Sequence, residues 1–195
     1  MRWKTPESWS PKDDYLLFSS AKGSTISLWT LDLRSRKRTS FGGVASAIPP
    51  NSMFSPDGRW VAYSVQDGTR APLYMQPFPA TGLRYQISPD ARHAMWSPKG
   101  NELFFIEGGA LRVVTLTTQP MFAFSRPTRM PQAAARLRSL SGVGPGVIRP
   151  FDMLPDGQHL LATADETPLD PGGTPPQIWI VLNWLEELKA HLLTK

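Results

Sequence analysis

Phe54-Ser55-Pro56-Asp57-Gly58 decides the fold, because the chain repeats it. Trp9-Ser10-Pro11-Lys12-Asp13 comes before it and Trp96-Ser97-Pro98-Lys99-Gly100 after it. Met153-Leu154-Pro155-Asp156-Gly157 is a worn fourth copy. The four prolines lie 45, 42 and 57 residues apart. Each phrase reads as a strand end followed by a tight turn. Proline fixes φ at the first turn position, and Asp-Gly or Lys-Gly supplies the position that needs positive φ. An apolar strand follows at once: Tyr15-Leu16-Leu17-Phe18, Trp60 to Val65, Leu103-Phe104-Phe105-Ile106, and His159-Leu160-Leu161-Ala162. A period of roughly 40–45 residues with β-type content is the pattern of a β-propeller, in which each repeat is one blade.

Working outward, a third strand recurs after a polar turn, as Ser27 to Leu31, Leu73 to Pro77, Leu111 to Leu116 and Gln177 to Leu182. A weaker fourth reads Arg38-Thr39-Ser40-Phe41 and Arg84-Tyr85-Gln86-Ile87. The expected fold is all-β: about four blades of four antiparallel strands over residues 1–182. The blades are expected at about 6–48, 49–90, 91–130 and 150–182, with 131–149 as an inter-blade loop. Asp165 to Pro176 reads as a Pro/Gly/Thr-rich excursion within blade four. Residues 183–195 read as a short C-terminal helix and tail. Leu185, Leu188 and Leu192 share one face there, with Asn183 and Glu186 spaced as in a capping box.

Composition supports short strands joined by many turns, since Pro (20) and Gly (15) are plentiful while charged residues make up 19%. Cysteine is absent, which excludes disulfides, thiol catalysis and cysteine–zinc sites. No apolar run approaches the ~18 residues of a membrane-spanning helix. The first residues have no apolar stretch behind them, so a signal peptide is not expected. The net charge of +5 is small and scattered, which argues against nucleic-acid binding.

The phrase Ser-Pro-Asp-Gly, with apolar strands such as Leu73-Tyr74-Met75 following, resembles the TolB-type, WD-repeat-like β-propeller family. The ending Ile180 to Lys189 resembles the tail of large bacterial proteins that join a serine/threonine kinase or winged-helix domain, often with a membrane span, to a C-terminal propeller. That resemblance implies the sensory or scaffolding end of a signalling protein, and a periplasmic location if the parent is membrane-anchored. The chain itself does not fix the compartment. Kinase motifs are missing from it. Related propellers have six to eight blades, so about four blades imply an open arc or a truncated gene, with a closed four-bladed ring as the alternative. Met1 to Thr5 is the one candidate for a strand completing the last blade. Exposed sheet edges make self-association possible.

No catalytic constellation stands out. His93, His159 and His191 are isolated, and no pair has metal-site spacing. No Gly-x-Ser-x-Gly elbow or phosphate-cradling loop occurs. Asp57 and Asp156 are explained by turn hydrogen bonding. The seven tryptophans read mostly as packing between blades. No catalytic, cofactor-binding or metal-binding residue is expected, and no cofactor. The basic run Arg34-Ser35-Arg36-Lys37-Arg38 is the candidate contact with an acidic partner, through Arg34, Arg36, Lys37 and Arg38. The function expected is a non-catalytic protein-interaction or ligand-sensing propeller with a protein or peptide partner. The alternative is a propeller accessory to an enzyme, as in peptidase caps or lactonase-like proteins.

Overall fold

The computed structural model describes residues 3–12, 14–66, 68–130, 149, 151–163 and 178–181. They form four antiparallel sheets, one per repeat. Sheet one contains β1 (Lys4–Trp9), β2 (Tyr15–Lys22), β3 (Thr25–Asp32) and β4 (Arg38–Ser46), hydrogen-bonded in that order. Sheet two repeats it with β5 (Met53–Phe54), β6 (Trp60–Ser64), β7 (Leu73–Pro77) and β8 (Tyr85–Ser88). Sheet three runs β9 (Arg92–Trp96), β10 (Glu102–Glu107) and β11 (Ala110–Thr117). Two short segments, β12 (Ala123–Phe124) and β13 (Thr128–Arg129), both pair along β11. Sheet four shows β14 (Phe151–Met153), β15 (Leu160–Thr163) and β16 (Ile178–Val181).

The repeated phrase is the turn between the first and second strand of every sheet. Gly58, Gly100 and Gly157 have φ of 71°, 76° and 66°. The glycine has a second job. A Cβ on Gly58 would stand 3.2 Å from Pro11, one on Gly100 3.9 Å from Pro56, and one on Gly157 3.7 Å from Pro98. Each turn therefore rests on the proline of the turn before it. The serine also helps. Ser10 Oγ accepts the N–H of Tyr15 (2.9 Å), and Ser55 Oγ that of Trp60 (3.0 Å), which ties the turn to the strand it launches.

Strand alternation sends each sheet's two faces to different neighbours. Leu17, Leu28 and Phe41 of sheet one pack on Phe54, Val61 and Tyr63 of sheet two. Ala62, Leu73 and Met75 of sheet two pack on Trp96, Leu103 and Phe105 of sheet three. Met95, Phe104 and Val113 of sheet three pack on Phe151 and Leu160 of sheet four. Each fully buried side chain of this size contributes about 1.5–3 kcal/mol. Among the described residues no core cluster joins sheet four to sheet one. Among the described residues the sheets pack in chain order, one on two, two on three and three on four, as successive propeller blades.

Some expectations change. Lys4 and Thr5 do not complete a last blade; they pair with Ser20 and Ser19 as the start of β1. The tryptophans are not uniformly packing residues: Trp96 is buried, but Trp9 and Trp3 are exposed. His93 lies within β9. The C-terminal helix with His191, the loop 131–148 and the excursion 165–176 fall outside the described residues.

Candidate functional site

The first strands, β1, β5 and β9, lie side by side at the inner rim of the arc, and β14 begins the fourth sheet in the same way. Their entrances are irregular. Asn51 and His93 stand at the same repeat position, five residues before the phrase proline, and both have positive φ, 51° and 57°. In β1 the register shifts between Pro6 and Ser8, and Glu7 sits in the bulge. Bulges re-aim side chains at strand ends. Here they bring polar groups together from residues far apart in sequence.

The result is an open cleft of about 430 Å³ at the inner rim, walled by Trp3, Thr5, Glu7, Asn51, Ser52 and Arg149. Glu7 belongs to sheet one. Its Oε2 accepts the backbone N–H of Ser52 at 2.6 Å and the Ser52 hydroxyl at 3.3 Å. Its Oε1 is buried and makes no hydrogen bond. Burial raises the Glu7 carboxyl above its ordinary value, against the Ser52 and Ser19 hydrogen-bonding groups that lower it. One residue further on, Ser8 Oγ accepts the N–H of Phe54 (3.2 Å), which locks the rims of sheets one and two together.

Arg149 reaches the cleft from the entrance to sheet four. Its Nη1 donates to Ala94 O at 3.2 Å and contacts Met53 Sδ at 3.2 Å, while its Nε donates to Phe151 O at 3.0 Å. Nη2 lies 3.5 Å from Asp152. One side chain thus bridges sheets two, three and four. Burial lowers its pKa while Asp152 raises it. Behind it His93 is buried, and burial together with Arg92 and Arg149 pushes its pKa down to about 4. His93 is therefore neutral at pH 7, and its Nδ1 has no hydrogen-bond partner. Arg92 Nη2 donates to Gln66 Oε1 at 3.1 Å.

The residues singled out in the sequence lie elsewhere. Arg34, Arg36 and Lys37 form the exposed turn between β3 and β4, and Arg38 opens β4. The turn is held by Asp32 Oδ1, which accepts the N–H groups of Arg34 and Ser35, both at 2.9 Å. Those bonds lower the Asp32 pKa. Arg36 takes a positive φ of 56° there. Only Lys37 of the four reaches a second cleft, of about 370 Å³, beside Tyr15, Phe41 and Phe78. Asp57 and Asp156 do turn work. Asp57 accepts from Arg59 N (3.0 Å) and Nε (2.9 Å), and Asp156 from Gln158 N (2.8 Å) and His159 N (3.2 Å). The His159 ring also contacts Asp156. Among the described residues no three His, Asp or Glu side chains are grouped to hold a metal, and no helix is long and apolar enough to cross a membrane.

Sequence reasoning missed Glu7, Ser52 and Arg149. Glu7 and Ser52 share one repeat position, four before the phrase proline, and that alignment is the signal that pairs them.

No family model and no curated protein matches the sequence. Solved structures do match by fold. TolB from Acinetobacter baumannii superposes with a TM-score of 0.57 at 16% identity, over 94% of this chain and 41% of that one. An oligogalacturonate lyase in complex with manganese gives 0.62 at 13% identity, over 95% and 51%. The Dos1 propeller gives 0.53 at 17%, over 80% and 37%. The chain therefore spans between 37% and 51% of these neighbours' lengths. The fold is a TolB-like β-propeller fold.

Proposed function

We propose that the chain is a non-catalytic interaction module that takes an extended peptide or protein segment at the inner-rim cleft, as the sensing part of a larger bacterial signalling protein. The observation that carries this reading is the pairing of unlike polar groups on one cleft. Glu7 and Arg149 bring a carboxyl group and a guanidinium to the same cleft. A peptide backbone carries both donors and acceptors and suits such a pair. The concave, partly apolar setting is where ligands bind propellers and other closed sheets.

The test is a peptide library panned on the purified chain. The best binder is then measured by calorimetry on the unmodified protein and on Glu7→Gln. Hydrogen bonds to charged groups contribute about 1.5–3 kcal/mol, so Glu7→Gln is expected to weaken binding by about tenfold or more. A binder indifferent to Glu7→Gln counts against this cleft. The manganese-bound lyase neighbour gives the enzyme-linked reading its one support. Stoichiometric divalent metal retained through purification favours that reading over this one.

A further inference from the structure

Three positions of the repeat make the contacts between sheets. The residue two before the phrase proline and the residue five after it face the preceding sheet. The residue six after it faces the following sheet. At the interface of sheets one and two these are Phe54 and Val61 against Leu17. At sheets two and three they are Trp96 and Leu103 against Ala62. At sheets three and four they are Met153 and Leu160 against Phe104. The same geometry is built three times, and Phe54, Val61, Trp96, Leu103, Leu160, Leu17, Ala62 and Phe104 are all buried.

Each kind of position occurs once more, without a neighbouring sheet among the described residues. On sheet one the preceding-side residues are Trp9 and Leu16; Trp9 is 56% exposed and Leu16 half-buried. Register places them opposite each other on β1 and β2, and Leu31 of β3 lies opposite Leu16. Phe18, which is buried, and the half-buried Trp29 share that face, so Trp9 at its edge is its exposed member. On sheet four the following-side residue is Leu161, 39% exposed beside the buried Leu160. Among the described residues no sheet lies opposite either face, and the two faces carry the two halves of the interface that the chain already forms internally three times.

We propose that this chain associates with a second copy of itself through these faces, the Leu161 face of one copy covering the Trp9–Leu16 face of the other. The contact is heterologous, face to unlike face. Made at both ends of two arcs, it closes a ring of eight sheets, at the upper end of the usual propeller range. The inference stands apart from the peptide-binding reading, since Trp9, Leu16 and Leu161 do not line the inner-rim cleft.

The experiment is sedimentation velocity over a concentration series on the full chain, with Trp9→Arg and Leu161→Arg. Both substitutions fall at exposed positions, and circular dichroism with thermal melts checks that each variant is folded. The unmodified chain is expected to move to twice the mass of one chain as concentration rises. Each variant alone is expected to stay at the mass of one chain, because every contact needs both faces. An equimolar mixture of the two variants is expected to form a heterodimer, since one supplies an intact Leu161 face and the other an intact Trp9 face. The proposal is overturned if the unmodified chain stays monomeric throughout. It is equally overturned if Leu161→Arg still dimerises, which points to like-face pairing, or if the folded variants do not recover association on mixing.

Discussion

Phe54 and Trp9 occupy one position of one repeat, yet Phe54 is 4% exposed and Trp9 is 56% exposed. Val61 and Leu16 differ in the same direction, as do Phe104 and Leu161. The interior and the end faces carry like side chains; what differs is whether a sheet lies opposite among the described residues. In a repeat architecture, stability is a sum of unit terms and neighbour interfaces. The comparison separates the two, because repeat position sets where a side chain points and the neighbour sets what that direction is worth.

The largest expected effect lies at an interior face. Phe104→Ala empties a fully buried site between sheets three and four and is expected to lower unfolding stability by about 3–5 kcal/mol in urea titrations. A loss under about 1 kcal/mol contradicts the burial of that interface.

Next comes acid, through His93 at the inner rim. Its folded pKa of about 4 lies below the ordinary histidine value of 6.5. Between those values the unfolded chain binds a proton that the folded chain refuses. Stability is therefore full above about pH 6.5, falls as pH drops towards 4, and levels below that. The total loss is on the order of 3 kcal/mol. His93→Asn, which tolerates the positive φ, removes this component of the pH dependence while leaving the carboxylate contributions.

A smaller contrast compares two glycines of like φ. Gly58→Ala places a Cβ 3.2 Å from Pro11 in addition to straining φ, whereas Gly68→Ala meets nothing within 4 Å. The strain alone costs about 1–2 kcal/mol, so both lose stability and Gly58→Ala loses more. Equal losses mean that the turn-on-turn contact contributes nothing.

The smallest effect belongs to the end faces. In dilute solution, Trp9→Ala and Leu161→Ala are expected to change stability by no more than about 0.5 kcal/mol each. A cost like that of Phe104→Ala at the same dilution means these faces are already covered within one chain.

Much of the fold was legible because the repeat is local. Ser55, Pro56 and Gly58 act within one turn, and their spacing marks where the first strand of a sheet ends and the second begins. The cleft was not legible from the same signals. Glu7 meets Ser52 across 45 residues, and Arg149 meets Ala94 across 55. Such contacts depend on how bulged strand entrances of different sheets converge. The most conspicuous charge run, Arg34 to Arg38, is conspicuous because it is contiguous, and contiguity on an exposed turn leaves it outside the inner-rim cleft. Aromatic content misled in one respect. Trp9 and Trp96 look alike in the phrase, and only the presence or absence of a preceding sheet tells them apart.

Oxidative footprinting read by mass spectrometry tests the central claim most directly, by following Trp9 and Trp96 in dilute and in concentrated protein. The account predicts that Trp9 is oxidised much faster than Trp96 when dilute and becomes protected as concentration rises, while Trp96 stays protected throughout. Equal protection of both tryptophans in dilute protein contradicts the open arc. A Trp9 that stays fully reactive in concentrated protein contradicts the pairing of its two end faces.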